Sequence, residues 1–237
     1  MNTLASPLLA GLPDASPANP TPPSPSLVDL LLHDRLTLDV ELADPHRAAA
    51  RLPGMIGLSL AGYAAYGLAQ GWAMIVVTPQ EENDLALLPV KVALAYAGGF
   101  FGAKMASLPS AYFYALLAGV RTHPLRLTAE AMRAQATQGV VMLGVIPVYF
   151  AAVMGLGLMD SSLAEVLLGA GYVLPLFAGL WGVGQLYGGL SRLVNSARAP
   201  GSFRTPMPAL LVLAWTGLVG LLAPLGTFRL MSLFFGA

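Results

Sequence analysis

The chain has 237 residues, of which 56% are hydrophobic and only 10% are charged, and its formal net charge is zero. Soluble domains carry about 25% charged residues, so a soluble chain of this length could not cover its surface. The neutral balance also excludes a global field that would attract nucleic acid. Because the chain has no cysteine, disulfides, thiolate catalysis and iron–sulfur ligation are excluded as well.

Apolar runs of roughly 20 residues recur along the sequence, and each is long enough to cross a bilayer. The composition therefore predicts an all-α, polytopic transmembrane helical bundle. Arginine strongly outnumbers lysine, and alanine, leucine, glycine and proline are abundant. This bias is typical of bacterial genomes rich in G and C.

The N-terminal segment divides into a tail and a helix. Residues 1–25 are rich in proline and serine and predict a disordered tail, because proline fixes its own φ and lacks a backbone N–H. Residues 26–46 predict one cytoplasmic amphipathic helix, with Ser26 as its N-cap and Asp29 in its first turn. The apolar positions that fit one helical face are Leu27, Val28, Leu31, Leu32, Leu38 and Leu42. The helix either binds a partner or the membrane surface, or packs on its own bundle.

Residues 47–237 predict a domain of about five transmembrane spans. The first span covers about 54–77, and the second begins near residue 86 and ends near 107. We predict a break at Leu108-Pro109-Ser110, followed by a short aromatic helix over 111–119 that is either interfacial or re-entrant.

The remaining three spans are predicted at about 138–158, 163–190 and 208–228. Thr128 is a suitable N-cap for the helix that leads into the third span. Pro147 and Pro175 are expected to kink the third and fourth spans.

The arginines predict the orientation of the spans. With five crossings, the N-terminal segment and the loops 119–137 and 191–207 lie on one side of the membrane. These segments carry Arg35, Arg47, Arg51, Arg121, Arg126, Arg133, Arg192, Arg198 and Arg204. The loops 78–84 and 159–162 on the other side contain no lysine or arginine. The positive-inside rule therefore predicts a cytoplasmic N-terminus and an outside C-terminus, here in the bacterial inner membrane.

This layout resembles the Yip1 family of five-span membrane proteins, and more closely its uncharacterised bacterial branch. The matching stretch runs from Pro89-Val90-Lys91 through Leu108-Pro109-Ser110-Ala111-Tyr112 to Leu116-Leu117-Ala118-Gly119. The preceding Leu-Val-Asp-Leu-Leu-Leu-His-Asp-Arg segment is similar to the N-terminal leader of that group. The resemblance implies a non-enzymatic membrane scaffold or complex subunit.

No pattern in the sequence indicates catalysis. His33, His46 and His123 are not spaced with one another or with carboxylates as a metal set. A Gly-x-Ser-x-Gly nucleophile elbow and a phosphate-binding loop are also absent from the sequence. We therefore predict no catalytic residue, no cofactor and no metal site.

Three charged residues fall within the predicted spans, namely Lys91, Lys104 and Glu165. A charge at mid-bilayer costs at least roughly 2.5 kcal/mol unless it is paired, hydrated or close to an interface. In one interpretation these residues line an ion or proton path. In the other they are interfacial anchors, with Lys91 near Asp160 and Glu165 and with Lys104 snorkelling to the inner surface.

Small and amide side chains predict close helix packing. Three Gly-x-x-x-Gly pairs suit contacts between spans, within one chain or between copies in a homo-oligomer: Gly67/Gly71, Gly98/Gly102 and Gly184/Gly188. Gln70, Gln138 and Gln185 are expected to be buried and to hydrogen-bond between helices.

The sequence thus favours an integral membrane scaffold, anchor or complex subunit. It would contact lipid and other membrane or cytoplasmic proteins, without enzymatic activity or nucleic-acid binding. The alternative is a small transporter or channel subunit that uses Lys91, Lys104 and Glu165.

Overall fold

A computed structural model describes most of the chain, and its regular structure is helical throughout the described ranges, with no strand among them. Those ranges are 25–77, 86–117, 123–159, 161–179, 182, 185–186, 188–189 and 207–235. The predicted proline-rich tail lies outside them, apart from Pro25.

The described helices follow in the order α1 Leu27–Leu32, α2 Arg35–Ala43, α3 Pro45–Val77, α4 Leu88–Leu117, α5 Pro124–Met159, α6 Ser161–Gly171, α7 174–179 and α8 Met207–Phe235. Within the described residues, four segments are long and apolar enough to cross a membrane: Pro45–Val77, Pro124–Gly157, Ser162–Gly179 and Leu213–Phe234. This architecture agrees with the predicted all-helical membrane protein.

Helix α3 is central, because it packs along both α4 and α5, while α8 packs on α4. Glycines permit the closest of these contacts. A Cβ atom on Gly62 would stand 2.5 Å from the Cα of Gly139 in α5. A Cβ atom on Gly67 would stand 2.5 Å from the Cα of Ala93 in α4. Any side chain at Gly62 or Gly67 would therefore push the helix backbones apart.

The predicted single helix over 26–46 is wrong, because the segment forms α1 and α2 with a break at His33 and Asp34. Ser26 caps α1 as predicted, since its hydroxyl accepts from the Asp29 N–H at 3.1 Å. Asp34 caps α2 by accepting from the Thr37 N–H at 3.1 Å. An aspartate that bonds the backbone in this way competes with helix continuation, which explains the break.

The predicted break at residues 108–110 is also wrong, because α4 continues through Pro109 to Leu117. Tertiary contacts hold the helix on both sides of the proline. The Trp215 Nε1–H donates to the Ser107 carbonyl at 3.1 Å, while Ala111 and Ala115 are buried in the apolar core. Neighbouring helices often allow a proline inside a membrane helix in this way.

Helix α5 begins at Pro124, so the prediction that Thr128 caps it is wrong. Proline suits the first turn, where its missing N–H would have no helical partner. The Thr128 hydroxyl instead donates to the Pro124 carbonyl at 3.0 Å from inside the helix. The 36 residues of α5 extend about 54 Å. A bilayer core is about 30 Å thick, so part of α5 extends beyond the lipid.

Candidate functional site

The first polar cluster lies where the N-terminal leader, defined here as residues 26–44, meets α5. Arg133 of α5 is only 1% exposed, and its Nη1 pairs with Oδ1 of Asp39 in α2. The same Nη1 lies 3.7 Å from Oε2 of Glu130. We call Arg133, Asp39 and Glu130 the leader junction. Because the charged groups are paired across two elements, they fix the position of α2 on the bundle.

Apolar contacts hold the same leader in place. Leu30, Leu31, Leu38 and Leu42 are at most 1% exposed and share one core cluster with α5 residues such as Met132. Arg51 of α3 adds a pair of hydrogen bonds to Glu41, with distances of 2.9 and 3.1 Å. The leader therefore packs on its own bundle, which is one of the two interpretations that the sequence left open.

The leader also keeps apolar side chains on its outer side. Val28 and Leu32 of α1 are each 37% exposed, while Leu36 and Val40 of α2 are 76% and 67% exposed. Residues four apart lie on the same face of a helix, so each helix presents an apolar pair outwards. The sequence analysis placed Val28 and Leu32 on the same apolar face as Leu31, which is buried in the structure. The break at residue 34 separates the faces of α1 and α2.

The second polar cluster closes the gap between α6 and α7, which are separated by the turn at Tyr172 and Val173. Pro175 has no N–H, so it cannot donate to the Gly171 carbonyl as a helix would require. The Tyr66 hydroxyl donates to that carbonyl at 2.6 Å instead. Pro175 thus interrupts the helix. The Gly171 carbonyl, which has lost its helical donor, accepts a hydrogen bond from a tyrosine of α3 instead.

The remaining bonds of this break come from two glutamines and a second tyrosine. Gln70 Nε2 donates to the Leu168 carbonyl at 3.0 Å, and the Tyr149 hydroxyl donates to Gln70 Oε1 at 2.5 Å. Gln138 Nε2 donates to the Pro175 carbonyl at 2.7 Å. These contacts confirm the predicted roles of Gln70 and Gln138. We call this set the break network.

Broken helices can offer free carbonyls to ions or substrates in transporters. In the break network, however, the carbonyls of Leu168, Gly171 and Pro175 already accept hydrogen bonds from side chains. The arrangement can hold the turn in an apolar environment. It does not present these oxygens to a ligand.

The third polar feature is Lys104 of α4, which is 9% exposed and lies inside the bundle. Its Nζ is 4.9 Å from the ring centroid of Trp215 in α8. Beside it is a cavity of about 80 Å³. Residues that line the cavity include Tyr63, Phe100, Gln138, Leu176, Gly179 and Val219. The enclosed position of Lys104 differs from the snorkelling anchor that the sequence left open.

The other predicted intramembrane charges lie elsewhere. Lys91 is half-buried in the first turn of α4, and Glu165 is exposed on α6. Among the described residues, the salt bridges do not include one between Lys91 and Glu165. Asp160 lies outside the described residues. The described salt bridges therefore do not join Lys91, Lys104 and Glu165 in one set.

The predicted glycine pairs differ in their surroundings. Gly67 and Gly71 contact the α4 backbone, where a Cβ on Gly71 would stand 2.5 Å from the Cα of Pro89.

The second predicted pair, Gly98 and Gly102, lacks such a contact in the described structure. Gly98 faces the Leu230 side chain, and Gly102 faces open space. The close approach of α4 to α8 occurs at the neighbouring Gly99, which the sequence analysis did not select. Gly184 lies outside the described residues, and Gly188 is half-buried.

A second cavity, of about 250 Å³, lies between α4, α8 and the turn after α6. Its wall includes Tyr96, Phe100, Tyr172, Thr227 and Phe228. The Tyr96 hydroxyl is buried and has no hydrogen-bond partner in the described structure. Its aromatic ring stacks with Tyr172 at a centroid distance of 6.3 Å.

Several residues of these clusters escaped the sequence analysis. Arg133 was assigned to a cytoplasmic loop, and Tyr66, Tyr149 and Trp215 carried no signal beyond an apolar run. A buried partner on a distant helix decides each of these roles. In the described part of the chain, no group of three histidine or acidic residues could hold a metal ion.

Comparison of the chain with protein-family models, with curated proteins and with solved structures gives no match. The resemblance to the Yip1 family therefore stays a prediction.

Proposed function

We propose that this chain is a five-span anchor or complex subunit of the bacterial inner membrane, which acts by binding other membrane or cytoplasmic proteins and not as an enzyme. In this proposal α4 is the fifth crossing, added to the four apolar segments. Its 30 residues extend about 45 Å, which is enough to span a bilayer. It packs between α3 and α8 along its length.

Five crossings also agree with the distribution of arginine, which supports a cytoplasmic N-terminus and an outside C-terminus. The leader then lies on the cytoplasmic side, at the end of the bundle where α5 extends beyond the lipid. Its resemblance to the leader of Yip1-like proteins supports the same assignment.

One observation carries the proposed binding function, namely the outward apolar pairs on a leader that is itself fixed to the bundle. Leu36 and Val40 are 76% and 67% exposed on α2, while Leu38 and Leu42 of the same helix are buried. A rigid element with apolar side chains on its free face is suited to protein binding, because little conformational entropy is lost on association. We place the partner site on this face.

The test is purification in mild detergent at native expression level, followed by mass spectrometry of the proteins that co-elute. We expect a stoichiometric partner with the wild-type chain and its loss with the double variant Leu36→Ser, Val40→Ser. Leu87→Ser is the matched control, because Leu87 is 57% exposed in the turn before α4, at the opposite end of the predicted bundle. Deletion of residues 1–24 tests the tail separately.

Substitution is preferable to deletion of the whole leader, because deletion would expose the leucine-lined surface of α5. Unchanged partner recovery in the double variant would overturn the placement of the site. Recovery of the chain alone, or only with copies of itself, would overturn the scaffold function in favour of a solitary or self-associating protein.

A second candidate is a small transporter or channel subunit, and the enclosed position of Lys104 beside a cavity favours it. A buried intramembrane charge commonly marks a pathway for ions or substrates. In reconstituted vesicles, Lys104→Met and Lys91→Met should each change flux if these residues line the path. Absence of flux in the wild type under every imposed gradient would eliminate this candidate.

A further inference from the structure

We propose that Lys104 forms a binding site for a small monovalent anion, such as a halide or formate, in the cavity next to Trp215. The inference goes beyond the scaffold function, since it concerns the interior of the bundle and not the leader. Its experiment measures binding and not flux, so its outcome is independent of both functions proposed above.

Lys104 carries a buried positive charge that lacks a described counter-ion. Lys104 is 9% exposed, and among the described residues no carboxylate pairs with it. Its described electrostatic contact is the Trp215 ring, 4.9 Å from Nζ. A ring face attracts a cation but carries no net charge, so it offsets only part of the cost of burying an ammonium group. A bound anion would supply the missing opposite charge.

The size of the cavity and its single lysine limit the anion that fits. The cavity volume is about 80 Å³, and about 10–15 Å³ of such space is enough for one water molecule. The site therefore has room for a single halide or for a group of a few heavy atoms. Lys104 is the charged residue among the described lining residues. It balances the single charge of a monovalent anion, whereas a divalent anion would keep one buried charge without a partner.

Most of the cavity wall is apolar. Apolar side chains such as Tyr63, Phe100 and Leu176 lower the local dielectric constant and so strengthen the attraction between Lys104 and an anion. Gln138 adds a polar group, because its amide has two N–H donors and the bond to Pro175 uses one of them. The Trp215 Nε1–H is already bonded to Ser107. The lysine and the glutamine are thus the groups that would hold the anion.

Trp215 provides the readout, because an iodide bound beside Lys104 would quench its fluorescence. The full chain is purified in detergent with Trp72→Phe and Trp181→Phe, which leaves Trp215 as the reporter. We expect quenching by iodide that saturates. Chloride and formate should each reverse it, whereas gluconate, which is too large for the cavity, should not. The anion that reverses half of the quenching at the lower concentration is the one that the site prefers.

Lys104→Met should weaken iodide binding by about tenfold or more, because truncating one member of a buried charge pair costs at least that much. Lys91→Met is the matched control and should leave the titration unchanged. Quenching that rises linearly without saturation, or an equal titration in Lys104→Met, would overturn the proposal. If Lys104→Met does not fold, competition in the parent protein decides, and equal reversal by gluconate and chloride rejects the site.

Discussion

The leader junction and the break network have the same structural role but use different chemistry. Each joins a short element to the long helices through buried polar side chains. At the leader junction the groups are ionic, with Arg133 between Asp39 and Glu130. In the break network they are neutral, with Tyr66, Tyr149 and Gln70 bonded to one another or to backbone carbonyls.

The difference follows from the environment. The break network lies between apolar membrane helices, where a charge is costly and an unsatisfied carbonyl costs several kcal/mol. The leader contacts α5 near one end, where water can reach some of the ionic groups, and the Asp39 side chain is 16% exposed. Ionic contacts also make a junction sensitive to the loss of a single partner. This contrast predicts a larger loss of stability from a change at the leader junction than from one in the break network.

The largest effect is expected from Arg133→Met at the leader junction. The change leaves the carboxylates of Asp39 and Glu130 without their buried cation, so the free energy of unfolding should fall by about 3–5 kcal/mol. The measurement is unfolding in mixed micelles, with limited proteolysis to detect release of the leader. Arg47→Met is the control, since its pair with Asp44 is exposed and should contribute about 0–1 kcal/mol. An equal fall in the free energy of unfolding for Arg133→Met and Arg47→Met would contradict the stabilising role of the Arg133 ion pairs.

A smaller effect is expected from Gly171→Ala in the break network. The new Cβ would lie 2.5 Å from Gln70 Oε1 and 2.7 Å from Tyr149 Cζ, so the network must rearrange. Overpacking of this kind costs about 1–3 kcal/mol. Gly169→Ala is the matched control on the same helix, because nothing lies within 4 Å of its Cβ position. Equal free energies of unfolding for the two variants would contradict the close packing of Gln70 and Tyr149 around Gly171.

The third prediction compares two variants, each of which removes the hydroxyl of one buried tyrosine. Tyr149→Phe removes the hydroxyl that donates to Gln70 Oε1 and should lower the free energy of unfolding by about 0.6–2 kcal/mol, the range of hydrogen bonds between membrane helices. Tyr96→Phe removes a hydroxyl that has no partner in the described structure, so the change should be close to zero. The same unfolding assay measures both, and a reversed order would refute the assigned bonds.

The smallest effect concerns the cap of α2. Bonds from the Thr37 hydroxyl and N–H hold the pKa of Asp34 below its ordinary value of 3.8. Because the folded pKa is depressed, the cap stabilises α2 above the ordinary pKa, and this contribution is lost as the pH falls through the folded value. The protection of the Thr37 amide against hydrogen exchange, measured relative to its intrinsic exchange rate at each pH, should therefore fall at acidic pH. Asp34→Asn retains the cap and should remove this dependence, while unchanged exchange in Asp34→Ala would exclude a capping role.

Local sequence signals identified one of the two predicted helix caps correctly, because Ser26 caps its helix while Thr128 does not. Ser26 was identified as a cap from its type and position, and it caps α1. The same kind of signal failed at Pro109, where proline was taken to end a helix. Contacts from Trp215 and the burial of Ala111 hold α4 together across it, and these come from parts of the chain far apart in sequence.

The sequence by itself determined the all-helical class and most of the long apolar segments, because apolar composition and segment length are local properties of the chain. It also indicated the buried glutamines, since a polar side chain within an apolar run needs a partner. The tertiary structure alone decided which partner each received. Lys104 was enclosed beside Trp215, and Arg133 was paired with the leader. Such choices depend on which helices meet and at what height, and the spacing of residues along one chain does not encode that directly.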